Sequence, residues 1–195
     1  MKSVVFVLLL LNHLTDAEKL TASVDVLRAG EKTPGEKIGT LNFVQENGKL
    51  KITGKLSGLP PGKHGFHIHE KSDLTNNCLN TGGHFNPFEK DHGAPSDEER
   101  HAGDLGNILV KDDGTVNIVV EDHLASLEGK TNVLNHAVVV HEKADDLGKR
   151  GDAGSKKTGN AGSRLACGVI ASGSGVVVIS IGITLISFLT VKLLH

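Results

Sequence analysis

Asn47-Gly48 separates two stretches, residues 38–45 and 49–57, in which apolar and polar side chains alternate. Period-two alternation marks a strand with one buried face, and Asn-Gly supplies the left-handed pair of a tight hairpin turn. The pattern recurs. Residues 21–28, 104–111, 115–121, 136–141 and 165–170 read the same way, and residues 65–70 form a strand-like run after Leu59-Pro60-Pro61-Gly62. Asp112-Asp113-Gly114 predicts a second hairpin, between 104–111 and 115–121. No stretch demands a long helix. Eight short strands with tight turns predict an all-β fold, an eight-stranded Greek-key β-barrel or sandwich. The 24 glycines, and six Phe without Trp or Tyr, suit a turn-rich β protein better than a helical bundle.

Two connections are too long to be simple turns. Residues 71–103 and 142–163 are rich in Gly, polar and charged side chains. Unstructured connections of that length in a compact domain are functional or disordered. The first carries three histidines and a cysteine, which disordered linkers do not favour, so both are expected to be functional loops.

The ends have a different character. Met1-Lys2 precedes an apolar run over residues 4–11, and Thr15-Asp16-Ala17 offers a small-x-small cleavage site. This predicts a secretory signal peptide over residues 1–17. Residues 176–191 are apolar, broken only by Ser, Thr and Gly, and follow the small residues Ala171-Ser172-Gly173-Ser174-Gly175. Residues 172–195 are therefore expected to anchor the chain to a membrane, as a glycolipid (GPI) anchor signal with a single membrane helix as the alternative. The intervening domain, residues 18–171, would lie on the extracellular face of the plasma membrane, held there or shed from it. The formal net charge of −2 argues against nucleic acid as a partner.

Eleven histidines are the compositional oddity. His67 and His69 stand two apart on one expected strand, so their rings share a face with Cα atoms about 7 Å apart. They can converge on one metal ion. The first long loop holds His84, His92 and His101, followed by Asp104. Three nitrogens and a carboxylate oxygen make a closed tetrahedral set suited to zinc. His141 comes from a later strand, and an imidazole-rich site suits copper or zinc. His64 is expected to be structural, bonded to nearby backbone. His123, His136 and His195 have no partner at ligand spacing and are expected at the surface.

Five stretches carry a resemblance. They are Gly65-Phe66-His67-Ile68-His69-Glu70; Gly83-His84-Phe85-Asn86-Pro87; Asp97-Glu98-Glu99-Arg100-His101-Ala102-Gly103-Asp104-Leu105-Gly106-Asn107; Val140-His141-Glu142-Lys143-Ala144-Asp145-Asp146-Leu147-Gly148; and Gly159-Asn160-Ala161-Gly162-Ser163-Arg164-Leu165-Ala166-Cys167-Gly168-Val169-Ile170. In order and content they resemble the motifs of copper/zinc superoxide dismutases, over roughly residues 20–170. The resemblance implies copper held by His67, His69, His84 and His141. It implies zinc held by His84, His92, His101 and Asp104, with His84 bridging both through its two ring nitrogens. Asp145 falls where the family has a carboxylate linking a copper ligand to a zinc ligand. The implied activity is disproportionation of superoxide to O2 and H2O2 by alternate reduction and reoxidation of the copper, with His84 carrying a proton. A copper-delivery module of the same fold, or an adhesive sandwich, would not require the full ligand set together with Arg164.

The resemblance also pairs Cys78 with Cys167, closing a loop of about 90 residues, worth ~4 kcal/mol in the chain-entropy model. Arg164 matches the arginine that docks the anionic substrate with its forked donors. Lys157 and Thr158 match positions at the channel rim. Asp152-Ala153-Gly154 departs from the acidic pattern common there, which leaves residues 142–164 with six cations against four acids. Such a local positive field is how a net-negative protein steers an anion. Many family members are homodimers, and the surface near Gly168-Val169-Ile170 would contribute.

Overall fold

The computed structural model describes residues 19–173, Thr33 excepted. The expected signal peptide, the apolar tail and His195 lie outside the described residues.

Among the described residues nine antiparallel strands carry the fold. They are β1 (Leu20–Arg28), β2 (Lys37–Glu46), β3 (Lys49–Leu56), β4 (Gly62–His69), β5 (Asp104–Val110), β6 (Val116–Asp122), β7 (Ala137–His141), β8 (Arg164–Val169) and the two-residue β9 (Ala171–Ser172). The first eight are the expected strands to within three residues at each end. The hydrogen-bonded path runs β5-β4-β7-β8-β1-β2-β3-β6, and β9 pairs with β1. The non-consecutive neighbours β4·β7, β8·β1 and β3·β6 are the crossovers of a Greek key, and the path curls into a nearly closed barrel.

The period-two pattern explains the core. Val24, Val26, Leu41, Phe43, Leu50, Ile52, Phe66, Ile68, Ile118, Val138 and Val140 all point inward and are buried. Asn47 (φ 52°) and Gly48 (φ 73°) form the expected left-handed turn between β2 and β3. The second expected hairpin differs. Lys111 N donates to Thr115 O at 2.9 Å, so the Asp112-Asp113-Gly114 turn closes. Yet β5 ladders with β4 and β6 with β3. The turn therefore joins the two edges of the curled sheet and is not the tip of a two-stranded ribbon.

One short helix was not legible. α1 (Ala153–Thr158) lies in the second long loop, opened by Asp152 Oδ1, which accepts from Ser155 N at 2.8 Å. It ends at Gly159, whose φ of 64° only glycine adopts at little cost. The Cys78–Cys167 disulfide is present and ties the first long loop to β8.

Candidate metal centre

β4 is buried on both faces from His64 to His69. Phe66 and Ile68 enter the core, so His67 and His69 emerge on the opposite face, where the two long loops cover them. The register slips between Gly65 and His67 and between Val140 and His141. Such bulges re-aim side chains beside functional sites.

Each ring of this face has one nitrogen tied down. His69 Nδ1 donates to the Gly82 carbonyl (2.9 Å) and His141 Nδ1 to the Gly162 carbonyl (3.2 Å). His67 Nε2 faces Asp145 Oδ2 at 2.8 Å. These bonds fix the tautomers and leave His67 Nδ1, His69 Nε2 and His141 Nε2 as lone-pair donors. His67 Nδ1 and His84 Nε2 are buried without any hydrogen-bond partner among the described residues. The free nitrogens of His67, His69, His84 and His141 lie within 4.8 Å of one another.

The other face of His84 closes a second set. Asp104 Oδ1 stands 2.8 Å from His84 Nδ1, 2.9 Å from His92 Nδ1 and 3.1 Å from His101 Nδ1. His101 Nδ1 and His84 Nδ1 are 3.3 Å apart. Ligand atoms around a tetrahedral ion at 2.0–2.1 Å are separated by about 3.3 Å, so this shell fits a metal. Asp104 Oδ2 is already occupied, accepting from His101 N (2.8 Å) and Gly93 N (3.2 Å), which leaves Oδ1 for the ion.

Asp145 joins the two sets. Its Oδ2 meets His67 Nε2 and its Oδ1 meets His92 Nε2, both at 2.8 Å. His67, His92 and Asp145 are close enough to form a third ligand group. The nitrogens they present to one another are the tied-down ones, so hydrogen bonding accounts for them.

Charge follows the same division. Burial, then the neighbouring His84 ring, pushes His141 down to about 3. Burial pushes His67 and His69 well below the usual histidine range too, so all three rings are neutral at pH 7. Burial lowers His84 likewise, against the pull of Asp104. His92 goes the other way. Burial alone would lower it, but the Asp104 and Asp145 carboxylates lift it to about 9. Burial would raise Asp104, yet hydrogen bonds from His101, His84 and His92 hold it far below the usual carboxylate range.

Arg164, the β8 register partner of His141, is half-buried. Its guanidinium donates to the Cys78 carbonyl, to Thr81 Oγ1 (2.8 Å) and to the Gly82 carbonyl (2.6 Å). The disulfide loop thus holds the arginine. Lys157 is exposed on α1 and Thr158 half-buried there. Of the six cations in residues 142–164, Lys149 pairs with Asp97 and Lys156 with Asp91. Lys143, Arg150, Lys157 and Arg164 have no acidic partner among the described residues.

His64 is buried outside both sets, its ring nitrogens 2.8 Å from the His141 and Pro60 carbonyls, as a structural residue requires. His123 is exposed as expected. His136 is not a free surface residue: it is half-buried, stacked on Phe85 at 4.1 Å, with Nδ1 3.2 Å from the His69 carbonyl. Three supports carried no ligand-like signal. Asn107 clamps the Asp145 backbone from both sides, accepting from its N (2.8 Å) and donating to its O (2.9 Å). A Cβ on Gly159 would fall 1.8 Å from Asp145 Oδ1. Buried Arg100 donates to the carbonyl oxygens of His101 and Asp104.

The family model for copper/zinc superoxide dismutase (SODC) matches residues 37–170. The extracellular superoxide dismutase [Cu-Zn] of Caenorhabditis elegans is 50% identical over 173 residues, which are 87% of this chain and 78% of that protein. Superoxide dismutase [Cu-Zn] 3 of Arabidopsis thaliana is 56% identical over 133 residues, 68% of this chain and 81% of its own. The crystal structure of the clock protein EA4 superimposes with a TM-score of 0.68 at 44% identity, covering 84% of this chain and 99% of that one. Motif order, fold and the paired ligand sets agree with these likenesses, and the chain belongs to the copper/zinc superoxide dismutase family.

Proposed function

We propose that this chain is a secreted superoxide dismutase whose copper is held by His67, His69, His84 and His141 and whose zinc is held by His84, His92, His101 and Asp104. The observation that carries the reading is His84. One buried ring offers Nδ1 to one ligand set and Nε2 to the other. Bound copper supplies one-electron redox chemistry, and zinc a fixed positive charge that does not change oxidation state.

The protein's own groups do the rest. Arg164, anchored through three acceptors, presents a fixed guanidinium to a small anion beside His141. His84 Nε2 has no hydrogen-bond partner of its own, so it is the ring nitrogen able to take up and return a proton while Nδ1 stays in the Asp104 cluster. Lys143, Arg150, Lys157 and Arg164 supply the local positive field, with Thr158 beside Lys157 at the rim.

Purified protein loaded with copper and zinc is expected to remove superoxide at a rate that falls with added salt. Protein fully loaded with copper that removes none would overturn the reading.

The same reading places residues 1–17 in a removed signal peptide, 18–171 in the catalytic domain and 172–195 in a membrane anchor. The apolar composition of both ends and the extracellular relative support it. Phosphatidylinositol-specific phospholipase releases the protein from cells if the anchor is a glycolipid and leaves it bound if it is a membrane helix. A homodimer is part of the reading as well. Val169 is half-buried and Ala171 and Ser172 exposed beside β1, where a second copy would meet them. Light scattering of the purified domain decides it.

A further inference from the structure

We propose that Arg100 is a positioning residue for the zinc half of the centre, acting through the backbone of His101 and Asp104. The inference rests on the reading of His84, His92, His101 and Asp104 as the zinc ligands.

Arg100 is 1% exposed and heads the fully buried side chains by size. A buried arginine at this place is costly unless its donors are used. Nη2 donates to Asp122 Oδ2 at 2.7 Å. Nη1 donates to two carbonyls, Asp104 O at 3.0 Å and His101 O at 3.3 Å. Nε has no partner among the described residues, so the three bonds from Nη1 and Nη2 orient the guanidinium. Asp122 is fixed in turn, its Oδ1 accepting from Leu124 N (2.8 Å) and Ala125 N (2.7 Å). The result is a strut from the end of β6 to the turn that carries two ligands.

The turn is also held at Gly103, whose N donates to Phe85 O (3.0 Å) and whose O accepts from Ile68 N (2.8 Å), and by His101 N on Asp104 Oδ2 (2.8 Å); Arg100 adds the bonds to the His101 and Asp104 carbonyls. Asp104 N reaches the His101 carbonyl only at 3.3 Å. Yet His101 Nδ1 and Asp104 Oδ1 must both meet one ion, and a shift of the turn moves them together. None of the Arg100 bonds reaches His67, His69 or His141. Loss of the strut should therefore disturb one half of the centre and spare the other. The shape of the fork matters as well as its charge, because a lysine ammonium cannot span Asp122 and both carbonyls in one plane. Stability alone does not explain the pair, since apolar residues of similar volume often replace a buried ion pair without loss.

The experiment compares metal-loaded wild type, Arg100→Lys, the double variant Arg100→Met/Asp122→Asn, which keeps an Oδ1 acceptor for Leu124 N and Ala125 N, and His101→Ala. Each is titrated with a zinc chelator while zinc and copper are measured by elemental analysis, and the metal-free forms are melted. Arg100→Lys is expected to bind zinc about 10–100-fold more weakly with copper retained. The double variant is expected to regain the wild-type apo Tm while its zinc affinity stays low. Unchanged zinc affinity in Arg100→Lys, equal loss of both metals, or zinc affinity that returns with stability in the double variant overturns the proposal. His101→Ala separates the two levels. If it too keeps its zinc, the ligand assignment fails rather than the role of Arg100.

Discussion

His67, His69 and His141 stand on strands, whereas His92, His101 and Asp104 come from the first long loop and the edge where it enters β5. The strand trio needs little beyond the pleat, two bulges and one hydrogen bond per ring. The loop set needs a scaffold. Asp104 is held by two backbone amides, His92 by its backbone bond to Lys156 O (2.8 Å) and by Asp145, and the His101–Asp104 turn by Arg100. The barrel thus presents the strand trio nearly preformed, while the loop set is assembled from loop backbone.

The two halves separate most sharply when a ring of the strand trio is removed. His67→Ala or His141→Ala should cut superoxide removal at least about 100-fold while zinc is largely retained, because neither ring is hydrogen-bonded to Asp104. Pulse kinetics with metal analysis checks this, and zinc lost in step with activity would mean the halves are not independent. Asp145→Asn comes next. Its amide would set a donor against a ring N–H in one half or the other. Zinc affinity should fall about 10–100-fold and copper affinity less, since His67 is held by a strand and His92 by a loop. Chelator titration of both metals reads the ratio, and equal losses would blur the distinction.

Steering gives a smaller effect. Lys157→Glu should lower the rate several-fold at low ionic strength and flatten its decline with salt. An unaltered salt slope removes Lys157 from the field. The smallest effect is at the α1 cap. The Ser155 amide, then Asn160, lower the Asp152 carboxyl below its usual 3.8. A carboxyl lowered on folding stabilises the fold above its unfolded value, and that contribution is lost as pH falls through the folded value. Asp152→Ala should therefore melt slightly below wild type at pH 7, and the gap should close in strong acid. A gap that persists at low pH would show that Asp152 acts by something other than its charge.

Much of this was legible in the chain. Alternation and Asn47-Gly48 place β1 to β3 to within a residue or two, because one buried face imposes period two. The residues that the fold gathers into the two sets stand out in the sequence by type and order and by the resemblance. What escaped depends on contacts distant in sequence. Asp112-Asp113-Gly114 signals a turn, and nothing local says that its flanking strands will ladder with β4 and β3 instead of each other. α1 is six residues long with Gly154 inside it, too short for a periodic signal. Arg100 lies in the Asp97–Asn107 stretch that carries the resemblance, but nothing local pairs it with Asp122. Only the folded chain brings Asp122 against it. His136 looked free for the same reason, since Phe85 reaches it from another loop.

The pairing of β9 with β1 places Gly173 N 3.0 Å from Thr21 O, so the barrel starts and finishes at one point. A chain with that layout has no need of its natural order. Joining residue 173 to residue 20 through a few glycines and opening the exposed Asn47-Gly48 turn would give a circular permutant with both clusters of side chains in place. By the same logic the domain could be spliced whole into a surface loop of another protein, both ends entering through one narrow gap.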